Sequence, residues 1–198
     1  MTQQLKSEIS LQTLNEKLDE YCSRYYRFSD LFHCGETWHK TKCDNLPMQT
    51  QSWEAYKKLA QEILDPITNH FGPVELTFGF CGQQLRSLIS KNASPRIAPT
   101  LDQHAAYELN TKGKPICPRL GAAMDLRVNN TSSQAVAIWV ASHLPFDRLY
   151  YYGDDNPIHI SIGPENSSQI VWLNMINNRR MPKKLTLEAL ITLPQKMR

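Results

Sequence analysis

Between Ser52 and Phe80 the chain admits very few arrangements. Trp53, Tyr56, Leu59, Ala60, Ile63, Leu64 and Ile67 recur at three- and four-residue spacing, which predicts a helix with one apolar face and Ser52 as its N-cap. Phe71-Gly72-Pro73 stops that helix, and Val74 to Phe80 begins with the alternation of a half-buried strand. Such a helix needs a sheet to lie against. The expected fold is therefore α+β, a small antiparallel sheet flanked by helices, and 198 residues of which 41% are apolar suffice for one domain with a sizeable core.

The rest of the chain supplies the other layers. Leu11, Leu14, Leu18 and Tyr21 predict an amphipathic helix ending before Ser23, a supporting element within residues 1–24. Phe28 to Gln51 shows little periodicity and reads as an ordered loop region. A short helix is expected from Gly82 to Ser90, then a strand from Ala122 to Val128. After it comes a helix carrying Val136, Ile138, Trp139 and Val140, capped by Ser132 or Ser133. Arg148 to Tyr152 and Ile158 to Ile162 read as two strands joined through Gly153-Asp154-Asp155-Asn156-Pro157. Ile170 to Met175 reads as an edge strand. The main domain thus spans residues 25–175, and residues 176–198 read as a helix or a loosely packed basic arm.

Charge and cysteine usage narrow the setting. Net charge is +3, but the last twenty residues carry six basic side chains against Glu188 alone, which leaves the body slightly acidic. Such a tail is a solvated end or a contact for nucleic acid or a membrane surface. The longest apolar stretches, such as Ala135 to Ala141, fall far short of the roughly 20 residues of a membrane span. The first residues lack the apolar core of a signal peptide, so a cytoplasmic location is expected. Cys22, Cys34, Cys43, Cys81 and Cys117 are an odd number in a chain too large to depend on disulfides, and are expected as reduced thiols.

Catalytic zinc is held by three protein nitrogen or oxygen ligands with a fourth position open to water. Asp125 follows the small residues Gly121, Ala122 and Ala123 on a strand, where other backbone can approach closely. His159 shares the polar face of its strand with Ser161, opposite the isoleucines at 158, 160 and 162. His104 lies before an expected helix start in Asp102-Gln103-His104-Ala105-Ala106-Tyr107-Glu108. These three residues are the candidate metal ligands. The chain has no phosphate-cradling glycine loop, no Gly-x-Ser-x-Gly elbow and no His-Glu-x-x-His helix.

The same residues carry a resemblance to the zinc D-Ala-D-Ala carboxypeptidase and Hedgehog signalling-domain superfamily. Gly121, Ala123 and Asp125 match the second half of its Ser-x-His-x-x-Gly-x-Ala-x-Asp pattern, and His159 matches its downstream strand histidine. Asn45-Leu46-Pro47, Phe71-Gly72-Pro73, Phe78-Gly79-Phe80 and Trp139 follow in similar order, so the likeness covers residues 25 to 165. It implies a Hedgehog/DD-peptidase-like fold, a zinc ion and hydrolysis of an amide in a peptide or peptidoglycan-like substrate. The chain departs from the pattern where Pro118 occupies the place of the first histidine. His104 stands in for it if Ala105 to Arg119 is an insertion, and Asp102-Gln103-His104 resembles the displaced Ser-x-His. The family's general-base glutamate, three residues before the last histidine, is here Asn156, which cannot accept a proton; Asp154, Asp155 and Glu108 are the candidate replacements. The family's substrate-orienting arginine is missing after the first strand, leaving Arg86 and Arg119 as substitutes, with Trp38 a candidate for the border of the cleft.

Other groupings carry alternatives. His33, Cys34, His39 and Cys43 lie close in sequence but lack the spacing of a structural zinc site, and Cys117 is a substitute ligand or a buried thiol. Tyr150, Tyr151 and Tyr152 cannot all be buried on one strand, so at least one phenol is expected in the open, as packing or as a stacking platform. The contrasting expectation for the whole chain is a catalytically silent member of the fold, a binding module whose basic tail contacts nucleic acid.

Overall fold

A computed structural model of the chain describes residues 16–92, 97–176 and 179–194. Six strands form one mixed sheet: β1 (Val74–Phe78), β2 (Ala122–Val128), β3 (Arg148–Tyr151), β4 (Ile158–Ile162), β5 (Gln169–Ile176) and β6 (Arg179–Leu185), in the order β1-β2-β4-β3-β5-β6. The helices are α1 (Phe28–Phe32), α2 (Glu36–Thr41), α3 (Thr50–Leu59), α4 (Asp65–Phe71), α5 (Gln83–Ser90), α6 (Ser133–His143) and α7 (Leu187–Ile191). The chain is an α+β fold, as its patterning requires, but the sheet is not wholly antiparallel. β3 and β5 run parallel, because the segment between β4 and β5 crosses the start of β3. Asp147 receives that crossing: its carboxylate accepts from the Ser167 backbone N–H at 3.0 Å and its carbonyl from the Ser167 hydroxyl at 2.7 Å.

The long one-sided helix is present, with two refinements. It begins at Thr50, so Ser52 lies inside its first turn and is no N-cap. Between α3 and α4 it passes through a π-helical turn, Ala60–Leu64. Pro66, near the start of α4, has no N–H to give and crowds the preceding turn, and a widened turn just upstream accommodates it without breaking the rod. Tyr56, Leu59, Ile63 and Ile67 are buried and share a core with Met124, Leu126, Leu149, Ile158 and Ile160 of the sheet. Those strand residues alternate with Asp125, Tyr150 and His159, which the two-residue period turns to the opposite face.

Several expectations are corrected. Leu11 and Leu14 lie outside the described residues; among the described residues helix runs only to Asp19, and Tyr21 is 62% exposed where the pattern placed it on the apolar face. The region read as loop contains α1 and α2, each too short to show a period. No helix starts after His104; residues 104–107 are turns. β5 is not the edge of the sheet, since β6 pairs with it along Ile170–Ile176. The C-terminal segment expected as a helix or loose arm thus contributes a strand and then α7, whose Leu190 carbonyl accepts from Gln134 Nε2 at 2.8 Å. Ser132 caps α6 as expected, accepting from Ala135 N at 3.1 Å. The five cysteines are unpaired, and among the described residues no helix is long and apolar enough to cross a membrane.

Candidate metal centre

Strand register builds the site. Asp125 on β2 faces His159 on β4, His159 faces Tyr150 on β3, Tyr150 faces Val171 on β5, and Val171 faces Lys184 on β6. At the other end Phe78 of β1 faces Asp125, because a bulge at Thr77 lets two β1 positions answer one on β2 and turns Phe78 to this face. One row of side chains therefore crosses all six strands on the face away from α3. This row floors a groove of about 1500 Å³, rimmed on the β1 side by Gly35, Glu36, Thr37 and His39.

His104 reaches the row from a loop that is held at several points. Its backbone carbonyl accepts from Cys81 N at 3.0 Å and from the Tyr56 hydroxyl at 3.1 Å, and that hydroxyl also contacts the Ala123 carbonyl at 3.1 Å. The helix that supports the sheet thereby fixes the loop residue as well. Beside it Gln103 adopts a left-handed φ of 58° and is fully buried. Its amide donates to the Leu120 carbonyl at 2.7 Å and to Asp147 at 2.9 Å, and accepts from Ser161 Oγ at 2.7 Å. Gly79 and Gly121 permit the close approaches: a Cβ on Gly79 would meet the Leu31 carbonyl oxygen at 2.1 Å, and one on Gly121 the Ile162 carbonyl oxygen at 1.9 Å. Asn45 secures the segment beyond Gly79, donating to the Phe32 and Phe80 carbonyls and accepting from Gly82 N.

The three expected ligands converge. One donor atom from each of His104, Asp125 and His159 lies within 4.8 Å of the others. His104 Nε2 is 3.3 Å, and His159 Nδ1 2.8 Å, from Asp125 Oδ1. Donors bound about 2.0–2.2 Å from a tetrahedral zinc stand roughly 3.3–3.6 Å apart. His104 Nδ1 lies 2.9 Å from the Gly79 carbonyl, which can only accept, so Nδ1 carries hydrogen and Nε2 is the nitrogen that faces the carboxylate, bare whenever the ring is neutral. A backbone carbonyl on the far nitrogen is how metal-binding imidazoles are oriented. His159 Nε2 is buried with no hydrogen-bond partner among the described residues, an unmet donor or acceptor that costs folding free energy as it stands.

The charges reinforce one another. Burial opposes ionisation of Asp125, yet the neighbouring imidazoles, His104 first, outweigh it and hold the carboxyl well below the usual carboxylate range. Burial likewise opposes charge on His104, and the Asp125 carboxylate overcomes it, raising the imidazole above its ordinary value. A cation arriving at the site would thus meet a carboxylate already ionised. The thiols are a different case: burial pushes Cys34 and Cys81 up to about 12, so both stay protonated. Cys117 does not join the cluster, and His104, Asp125 and His159 form the one metal-type group among the described residues.

The other expected site residues separate into two sets. Arg119 lines the groove, donating through Nη1 to the Leu101 carbonyl at 2.7 Å and to the Tyr150 hydroxyl at 3.0 Å. Asn156 lines it too. Glu108, Asp154, Asp155, Trp38 and Arg86 do not. Glu108 accepts from Met48 N, Gln49 N and Ser52 Oγ, capping α3 from a distant part of the chain. Asp154 accepts from Gln134 N in the first turn of α6 and from the Tyr151 hydroxyl. Asp155 is exposed. Trp38 stacks on His33 at 4.2 Å and bonds the Cys43 carbonyl, so the His33, Cys34, His39 and Cys43 grouping is an aromatic stack beside a loop.

The sequence does not single out Asp102, and Tyr150 reads there only as one of three tyrosines of which at least one is expected in the open. Asp102 lies in the wall with Oδ2 accepting from Ala98 N at 2.7 Å and Oδ1 buried without a partner among the described residues. Tyr150 stacks on His159 with ring centroids 4.7 Å apart and planes 17° from parallel. Its parity on β3 marks it as facing away from Tyr151, which is buried, but only the register of β3 against β4 places it beside His159. Compared with known protein families, curated proteins and solved structures, the chain matches none.

Proposed function

We propose that this chain is a zinc-binding, peptidase-like hydrolase domain acting on an amide bond in a peptide or peptidoglycan-like substrate. The observation that carries the reading is the convergence of His104, Asp125 and His159, one imidazole oriented by a carbonyl and the other left with an unmet nitrogen, on the floor of a groove larger than most small-molecule pockets. Two imidazoles and one carboxylate are the donor set of many catalytic zinc sites. These residues would hold the zinc, which when bound would supply Lewis-acid polarisation of a carbonyl and a lowered pKa for a water molecule. Arg119 supplies fixed positive charge for a carboxylate or carbonyl of the substrate, and Asp102 adds a carboxylate to the groove wall, its Oδ1 buried with no partner among the described residues. The resemblance to the D-Ala-D-Ala carboxypeptidase and Hedgehog superfamily supports the same assignment, with His104 entering from a longer loop.

A second reading rests on the commitment of Glu108 and Asp154 to helix caps and on Asn156 at the position of the expected base. In it the domain binds without hydrolysing, and Arg119, Arg127 and Lys184 along the groove favour an anionic partner such as nucleic acid.

Metal analysis decides the first point. Purified protein is expected to hold one zinc per chain, lost in Asp125→Ala and His159→Ala; a folded wild-type protein that takes up no zinc rules the proposal out. Screening the zinc-loaded protein against peptide and muropeptide amides then separates hydrolase from binding module.

A further inference from the structure

Tyr150 is positioned for more than packing. Its ring covers His159, and its hydroxyl meets Arg119, which lines the same groove as Tyr150, His104, Asp125 and His159. Arg119 can only donate, so in the 3.0 Å contact the phenolic oxygen is the acceptor. The hydroxyl hydrogen has no acceptor among the described residues. A guanidinium donating to a phenolic oxygen polarises the O–H bond and strengthens it as a donor. Arg119 is itself held by the Leu101 carbonyl, so the pair presents a fixed donor that needs no rearrangement when charge appears.

We propose that Tyr150 is a catalytic residue of this site, donating a hydrogen bond from its hydroxyl to the substrate oxygen on which negative charge develops. The inference rests on the hydrolase reading given above. In amide hydrolysis the water oxygen bonds to the carbonyl carbon and the carbonyl π pair moves onto oxygen. That pair re-forms the double bond as the C–N bond breaks, and both water protons end on the departing amine. Tyr150 gives up no proton at any stage. It holds the oxygen while it bears charge, which is where a preorganised donor contributes most.

The test uses inorganic phosphate, a tetrahedral oxyanion, titrated calorimetrically into zinc-loaded wild-type protein and Tyr150→Phe, with zinc affinity measured on both. Phenylalanine keeps the ring on His159 and removes only the hydroxyl. The expected result is phosphate affinity lowered tenfold or more in Tyr150→Phe, with zinc affinity changed less than about threefold, since a hydrogen bond to a charged group is worth roughly 1.5–3 kcal/mol. Arg119→Met is expected to weaken phosphate binding as well. Equal phosphate affinity in wild type and Tyr150→Phe, or no phosphate binding by the zinc-loaded wild type, overturns the role of Tyr150 and leaves the zinc assignment standing. Failure of the wild type to bind zinc overturns the metal reading itself, and this inference with it.

Discussion

Asp125 and His159 are direct cross-strand partners, and the imidazole Nδ1 lies 2.8 Å from the carboxylate oxygen. Neighbouring strands thus bring together two candidate ligands that are 34 residues apart in the chain, with a separation set by backbone hydrogen bonding. Holding an ion between them would require this contact to open by roughly half an ångström to zinc-donor spacing, with His104 as the third candidate donor.

Binding to the folded state alone stabilises a protein in proportion to the logarithm of ligand excess. Zinc at a hundredfold excess over its dissociation constant is expected to add about 2.7 kcal/mol, which raises Tm by roughly 5–10 °C for a chain of this size. Calorimetric melting with zinc and with a chelator checks this. His104→Ala is expected to abolish most of the difference.

Gly121 has a φ of +94° and faces the Ile162 carbonyl. Gly121→Ala is expected to destabilise the fold by more than about 2 kcal/mol, through both backbone strain and collision with a paired strand. Gly72→Ala, also at positive φ but with open space around it, is expected to cost only about 1 kcal/mol. Urea unfolding of the two variants separates crowding from conformation.

Glu108 caps α3 and does not line the groove. Glu108→Gln is expected to lower stability by about 1–3 kcal/mol, as a buried acceptor of several N–H and O–H groups is weakened, while zinc stoichiometry stays at the wild-type value. Loss of zinc without loss of stability would contradict this placement.

Acid sensitivity should trace in part to Asp147. Burial opposes its charge, but hydrogen bonds from Ser167 and Gln103 prevail and hold its carboxyl below the ordinary value. A carboxyl depressed in the folded state stabilises fully above its unfolded pKa of about 3.9, and that contribution fades as pH falls through the lower folded value. Asp147→Asn is therefore expected to be less stable than wild type at pH 6 and to show a shallower decline between pH 5 and pH 2. Denaturant midpoints across that range measure both.

Much of this was legible in the residues because local patterns coincide with tertiary needs. The strands at 122–128 and 158–162 and the cap at Ser132 follow from alternation and side-chain chemistry alone, and Asp125 and His159 stand out as polar residues on apolar strands, whereas His104, on a loop, stands out only through its Asp102-Gln103-His104 neighbourhood. α1 and α2 span too few residues for a helical period to show. β6, rich in arginine and lysine, reads as a solvated tail because its strand character comes from pairing with β5 and its charges suit an exposed edge. Glu108 looked like a free carboxylate because its partners at Met48, Gln49 and Ser52 become neighbours only on folding. Tyr150 was hidden among three tyrosines for the same reason.

The row of side chains across the six strands ties the groove to the hydrophobic core through strand parity. Inserting or deleting a single residue within β4 would exchange the faces of Ile158, Ile160 and His159 together. The imidazole would be driven against α3 and the isoleucines into the groove, so the length of this strand should be far less tolerant of change than any one side chain upon it.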